Sequence, residues 1–547
     1  MNVKRDLLGR QALSTAIVML LVAAMTQGLG TPASAQMDEV SQINENIRKE
    51  VRAHSQIMNY AFYLSDVYGP RLTGSPNYRR AAEWAIGQMK QVGLTNIAKD
   101  KIDDFRYSWT NTRFFLAMTE PSFAALIGAP MAWSTGTSGP VEGDAIRIDF
   151  PEQKLSQVTE FIEKSKGKLR GKVLFLNGPS VIKSRKSPQS VRWTDAEIED
   201  QASKAEARLK NPQPTRPQRP PRNMKEIDKV NSMLGMFFRD EGVVALTVDF
   251  DSAMKYGGTF LVQNAMLQGP RSVRRGFPPV FAMAAEHYNR VLRLIDKGIR
   301  VRLKLDVGTT LIENPIDAYN IIAELPGRDR ADEVVMVGAH LDSWTGGTGA
   351  TDNAAGCAVV MEVARILKTL NLHLSRTVRF VLWGGEENGN HGSFSYVNKH
   401  LVSISRDPTH PWDLHIGTTK PEFEKFSSYY NLDEGTGRIR AVIIGNDVAA
   451  RPLIESWLAP VRDLGVIAVI PRGSAGSDDA TFASVGLPSF SFVQDPLDYD
   501  TTTHHTNMDV YDHLQEDDLK QAAIVLTTLV YADANRTARM PRPPRNQ

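Results

Sequence analysis

Three segments of the 547-residue chain carry side chains able to bind metal ions or move protons. They are Gly338-Ala339-His340-Leu341-Asp342-Ser343, Gly349-Ala350-Thr351-Asp352-Asn353 and Phe380-Val381-Leu382-Trp383-Gly384-Gly385-Glu386-Glu387. Imidazole nitrogen and carboxylate oxygen together suit a borderline-to-hard divalent cation, zinc above all. Two adjacent glutamates at a strand end cannot both face one ion, so one ligates while its neighbour stays free to handle protons. Alone, His340 reads as a satisfied core histidine and Glu386-Glu387 as a solvated strand end. Their occurrence in one unit with Asp352 reverses that reading.

The elements that must hold these residues follow from apolar spacing. Val334 to Val337 and Phe380 to Trp383 are short apolar runs of strand type, and Asn353 to Leu370 has helical spacing, giving strand, loop, helix, strand. An open α/β sheet places its ligand site at such strand ends. Toward the N-terminus, Met37 to Tyr63 reads as helix. Ser75 can cap a second helix with Pro76 at its first position, which Gly93 stops. From Thr119 the texture shifts to short β-rich runs, as in a mostly β domain inserted into the first. Within it, residues 183–229 form a charged, Pro-rich excursion, with a solvated helix at Trp193 to Leu209 and an extended, mobile run at Asn211 to Arg222. Past Val301 to Val307 the α/β pattern returns, starting with a strand at Asn320 to Leu325. Further strands are expected at Phe426 to Leu432, Val466 to Ile470 and Leu487 to Val493, with helices at Pro452 to Leu464 and Leu514 to Asp533. The loop Asp498 to Asp509 carries His504 and His505.

With 42% hydrophobic residues the chain can bury a large core, and a net charge of +2 gives no argument for nucleic acid or acidic membranes. Its one cysteine, Cys357, excludes an intrachain disulfide and reads as a buried hydrophobe. Lys4, Arg5 and Arg10 precede the apolar run Ala16 to Met25, and Ala33-Ser34-Ala35 follows, the pattern of a cleaved export signal. The run is too short for a comfortable membrane span.

Taken with Asn431-Leu432-Asp433, Gly476-Ser477-Asp478 and His505-Thr506, these segments resemble the ordered motifs of the M28 family of zinc metallopeptidases, and within it the carboxypeptidase Q branch. The turn Gly69-Pro70-Arg71-Leu72-Thr73-Gly74-Ser75, the Asp342-Ser343-Trp344 extension and Arg379 to Trp383 are similar to that branch too. The resemblance implies two zinc ions per chain, one bound by His340 and Asp433, the other by Glu387 and His505, with Asp352 bridging. Glu386 matches the general base and Asp342 the carboxylate orienting a ligating imidazole. Several members carry Tyr where this chain has His504, which makes His504 a candidate oxyanion donor. Of the doublet, His505 is preferred as ligand because it directly precedes Thr506.

The expected architecture is therefore an α/β, mixed-sheet zinc-peptidase domain with helices on both faces plus an inserted β-rich, protease-associated-like domain. Its parts would be a signal peptide at 1–35, peptidase segments at 36–118 and 296–535, the insert at 119–295 and a disordered tail at 536–547. The expected function is an exported, periplasmic or secreted exopeptidase acting on dipeptides or short peptides, with no nucleic-acid partner and no membrane span once the signal is removed; a homodimer is left open. The alternatives are an aminopeptidase, a glutaminyl-cyclase-like acyl transferase, which uses a single zinc, and a non-catalytic binding module.

Overall fold

The computed structural model describes residues 32–149, 151, 154–176, 178–182, 187–211, 224–248, 260–265, 277–406, 414–473 and 476–543. Its organising sheet has eight strands, in the order Thr95–Lys101, Tyr319–Leu325, Arg376–Trp383, Arg330–His340, Phe426–Asn431, Ser489–Gln494, Ile439–Ile443 and Ala468–Ile470. Arg330–His340 runs parallel to both neighbours, with His340 opposite Trp383 and Gly338 opposite Asn431. Three strands thus stop at one level, and the residues beyond their ends must meet. Tyr319–Leu325 pairs antiparallel with Arg376–Trp383, which makes the sheet mixed.

Successive side chains leave opposite faces of a strand, and both faces here are apolar. Val335, Val337, Ala339, Phe380 and Leu382 pack into one core with the helices Ala355–Thr369 and Glu516–Asn535. Met336, Val381, Trp383 and Tyr429 pack into another with Tyr396, Val397 and Phe482, from the helical segments His391–Leu401 and Asp478–Ser484. The expected α/β fold with helices on both faces is the one observed. At the N-terminal side, Ser75 accepts a hydrogen bond from the Tyr78 N–H at the head of the helix Pro76–Val92, and Gly93 ends it at φ 89°.

The insert differs from expectation. Tyr107–Glu120 pairs along its whole length with Arg302–Glu313, so the second sheet spans 107–313 rather than 119–295. The alternation that buries Leu303, Leu305 and Val307 suits either sheet, and sequence pattern does not say which one a strand joins. The helices Leu155–Ser165, Met224–Glu241 and Ala285–Asp296 cover this sheet, making the insert α/β rather than mostly β.

Within the expected mobile excursion, residues 187–211 are docked on the domain of the organising sheet. The helix Asp195–Lys210 starts with a capping box between Thr194 and Glu197, and Ile198, Ala202 and Ala205 form a narrow stripe packed against Ala441, Ile443 and Ile470. Arg440 with Asp195 and Arg451 with Glu206 close the contact. Met224 begins a helix whose Val230, Leu234 and Phe238 enter the insert's core, so the excursion does not extend to 229. The expected extended run lies outside the described residues from 212 to 222.

The tail is also ordered as far as it is described. Met540 is buried, and Arg542 donates to the carbonyls of Phe423 and Phe426 at 2.7 and 2.8 Å, which corrects the expected disorder over 536–543. The expected signal lies outside the described residues up to position 31. Among the described residues no helix is long and apolar enough to cross a membrane.

Candidate metal centre

A turn far from the motifs in sequence grips the loops that carry them. Arg71 is fully buried, and its guanidinium donates to the carbonyls of Leu341 (2.7 Å), Leu64 (2.7 Å), Thr348 (2.9 Å) and Gly349 (2.9 Å). Hydrogen bonds from a charged donor contribute roughly 1.5–3 kcal/mol each, so this side chain fixes both ends of the loop between His340 and Asp352. Thr73 accepts the Gly385 N–H at 2.6 Å and so fixes the turn before Glu386. Asp509 accepts from the Thr351 N–H (2.6 Å) and hydroxyl (2.8 Å), anchoring the residue before Asp352. None of these roles was read from the sequence; the motif-like Gly69 to Ser75 turn was the only signal that could have shown two of them.

The strand after the helix stops at Trp383, short of the glutamates. Gly384 and Gly385, the latter at φ 69°, turn the chain so that Glu386 and Glu387 lie past a bend rather than finish a strand. The Glu386 N–H donates to Asp342 Oδ1 at 3.3 Å.

The structure gathers His340, Asp352, Glu386, Glu387, Asp433, His504 and His505 at one place. His340 Nε2 lies 3.1 Å from Asp352 Oδ1 and 3.0 Å from Asp433 Oδ1. His505 Nε2 lies 3.2 Å from Asp352 Oδ2 and 3.1 Å from Glu387 Oε2. The two oxygens of Asp352 therefore face two different imidazoles. Ligand atoms held tetrahedrally about 2.0–2.1 Å from zinc stand roughly 3.3 Å apart, close to these separations.

Other groupings are also tight. Donor atoms of His340, Glu386 and Asp433 lie within 4.8 Å of one another, as do those of Asp352, His504 and His505. His504 Nε2, however, is 3.9 Å from Asp352 Oδ2. Glu387 is further fixed by the Trp344 N–H, which donates to Oε1 at 3.1 Å.

Asp342 acts otherwise than expected. His340 Nδ1 meets the main-chain carbonyl of Asp342 at 2.9 Å, while the carboxylate is 3.6 Å away and instead accepts the Glu386 N–H. The imidazole is oriented by a carbonyl, and the Asp342 carboxylate positions the Glu386 backbone. Behind the site, the buried Cys357 Sγ lies 3.0 Å from the His340 carbonyl, and burial pushes its thiol up to about 12.

The electrostatics show a cluster short of positive charge. Burial raises Glu386 well above the usual carboxylate range, and it pushes Glu387, beside Asp352, up to about 8. Burial alone would lower His340 and His505, yet neighbouring carboxylates, Asp433 and Glu387 foremost, hold both imidazoliums well above the usual range. Burial would raise Asp352, but the two imidazoles hold it well below normal. Four carboxyls share two rings, so even with both rings protonated two of the carboxyls must either hold protons or be balanced by cations, and Asp352 Oδ2, though 3.2 Å from His505 Nε2, makes no well-formed hydrogen bond. Divalent cations fit this donor set.

The cluster opens onto a cavity of about 390 Å³, whose wall includes Asp352, Glu386, Asp433 and His505 and also residues that the sequence did not single out: Trp193, Gln201, Glu434, Arg472, Tyr499 and Asp500. Trp193 reaches it from the insert, whose Val191 exchanges two backbone hydrogen bonds with Leu497 (2.9 and 2.8 Å) in the chain leading to the histidine pair.

Comparison with known proteins bears on this arrangement. Residues 320–530 match the peptidase family M28 model. The carboxypeptidase Q of Pongo abelii is 24% identical over 519 residues, covering 91% of this chain and 93% of that protein. Aminopeptidase YwaD of Bacillus subtilis (strain 168) is 28% identical over 221 residues, covering 39% of this chain and 44% of that protein. The crystal structure of a peptidase M28 precursor from Shewanella amazonensis SB2B superposes with a TM-score of 0.62 at 23% identity, covering 93% of this chain and all of that one, and so shares the fold.

Proposed function

We propose that the chain, whose residues 320–530 match the peptidase family M28 model, is an exported exopeptidase that binds two zinc ions and hydrolyses dipeptides or short peptides. The carrying observation is Asp352, whose Oδ1 and Oδ2 each face a different histidine, as a carboxylate shared between two ions would. His340 and Asp433 would hold one ion, Glu387 and His505 the other. Zinc, when bound, supplies Lewis acidity toward the scissile carbonyl and lowers the pKa of the attacking water.

The chain's own residues supply the rest. Glu386 lines the cavity, is raised toward the neutral form by burial, and has its main chain fixed by the Asp342 carboxylate. In its ionised form this carboxylate would take a proton from the attacking water, and the high proton affinity that burial gives it suits returning that proton to the leaving amine. His504, on the cavity wall beside His505, is the candidate donor to the developing oxyanion. Export rests on the N-terminal pattern of basic residues, apolar run and Ala33-Ser34-Ala35.

Chelation should abolish hydrolysis, and added zinc should restore it at two ions per chain by elemental analysis. Blocking both ends of a short peptide should prevent cleavage. Full activity in metal-free protein would overturn the metal assignment, and efficient cutting inside long, doubly blocked peptides would overturn the exopeptidase reading.

A further inference from the structure

Among the described residues of the cavity wall, Arg472 is a cation that the proposed chemistry leaves unused. Arg472 comes just after the strand Ala468–Ile470, and its main-chain N–H is held by the Ile470 carbonyl. The half-buried residue lines the same cavity as Glu386 and Asp352, and its side chain makes no hydrogen bond or ion pair with any described residue. Its electrostatic pull reaches Glu434, without contact. Other arginines of the peptidase domain are committed. Arg71 binds four carbonyls, Arg365 binds Glu50 and Glu362, Arg376 binds Glu333, and Arg379 binds Glu324.

A guanidinium in a half-buried residue with no ion pair among the described residues is suited to an incoming anion, and its planar fork matches a carboxylate. The one anion common to short, unblocked peptides is the C-terminal carboxylate. In a dipeptide that group lies one residue, roughly 3.5 Å of chain, from the scissile bond, so its anchor must share the cavity with Glu386. The volume, about 390 Å³, is at the small end for ligand sites. We infer that Arg472 binds the free C-terminal carboxylate of the substrate and makes this site select peptides by their carboxyl end. The inference rests on the exopeptidase reading above and narrows it to dipeptidase or carboxypeptidase action.

The test compares zinc-loaded enzyme and its Arg472→Gln and Arg472→Lys variants on a dipeptide and on the same dipeptide with its carboxyl end amidated, with zinc content and thermal melting measured alongside. Wild type should prefer the free acid by kcat/KM. Arg472→Gln should raise KM for the free acid by roughly 10–100-fold, leave the amide nearly unchanged and abolish the preference, with zinc content unaltered. Arg472→Lys should restore part of it. A wild type indifferent to amidation, or an Arg472→Gln protein that keeps the preference, would overturn the inference while leaving the peptidase reading intact. Failure of wild type to cut any unblocked peptide would sink both. The wild-type acid-to-amide ratio decides the matter even if a variant does not fold.

Discussion

The two ends of the peptidase sheet bury charge in opposite ways. Where its central strands begin, the buried charged groups Arg376 and Asp533 have partners among the described residues. Arg376, fully buried, meets Glu333 at 2.6 Å and donates to the carbonyls of Asp533 and Arg536, while Asp533 accepts from the hydroxyls of Ser427, Ser428 and Tyr430. Where the same strands end, Asp352, Glu386, Glu387 and Asp433 crowd two imidazoles with no lysine or arginine bound to them among the described residues. A closed set of charges fixes register and termini. An open one is tolerable only if something from outside completes it, and that incompleteness marks the functional end.

The sharpest break is at the open end. Glu386→Gln keeps shape and hydrogen bonding but removes the proposed base, so turnover should fall by roughly 10²–10⁴-fold with two zinc ions retained. Glu387→Gln should instead lose an ion, and excess zinc should restore part of the activity. Metal stoichiometry beside turnover checks both, and the reverse pattern would exchange the two roles.

At the closed end, Arg376→Met should cost about 3–5 kcal/mol, because Glu333 and the tail carbonyls lose their buried partner. Urea unfolding measures the loss, while turnover per folded molecule should stay near wild type. A variant of full stability would show that the pairing there is incidental.

The smallest effect sharpens the contrast. Asp447 belongs to neither end, yet it is buried with both carboxylate oxygens unpartnered, and burial pushes it up to about 6 from 3.8. The folded state then holds its proton more tightly than the unfolded chain, so stability is full below about pH 4 and declines as pH rises through 6. Asp447→Asn should be neutral at pH 4 and stabilising by about 1–2 kcal/mol at pH 8, the full linkage value being reduced by solvent screening. Melting temperatures at the two pH values read it.

The sequence makes the open end far more legible than the residues that hold it. His340, Asp352, Glu387 and Asp433 stand beside glycines and apolar runs, so residue type and local pattern mark them together. Arg71, Thr73 and Asp509 act through backbone atoms of segments remote in sequence, and a carbonyl as partner leaves no trace in residue identity. The same holds for Asp342, where the main-chain oxygen rather than the expected carboxylate meets the ring. Arg472 and Trp193 become visible only once the cavity exists, because an arginine that lines a cavity looks in sequence like any other. The ordered 187–211 segment was hidden by composition: its packing stripe is three small or aliphatic residues amid charge.

The long pairing of Tyr107–Glu120 with Arg302–Glu313 sets an order of events during synthesis. The insert is one unbroken stretch whose two ends meet, so it can close while the ribosome is still making the C-terminal half of the chain. The peptidase domain cannot. Its N-terminal helices pack against Glu516–Asn535, and its core takes in Met540, both of which follow the histidine pair in the chain. Between the synthesis of Glu313 and that of Glu516–Asn535 the chain therefore carries a finished insert beside an unfinished organising-sheet domain, and the candidate metal cluster comes together only after the histidine pair at 504 and 505 has emerged.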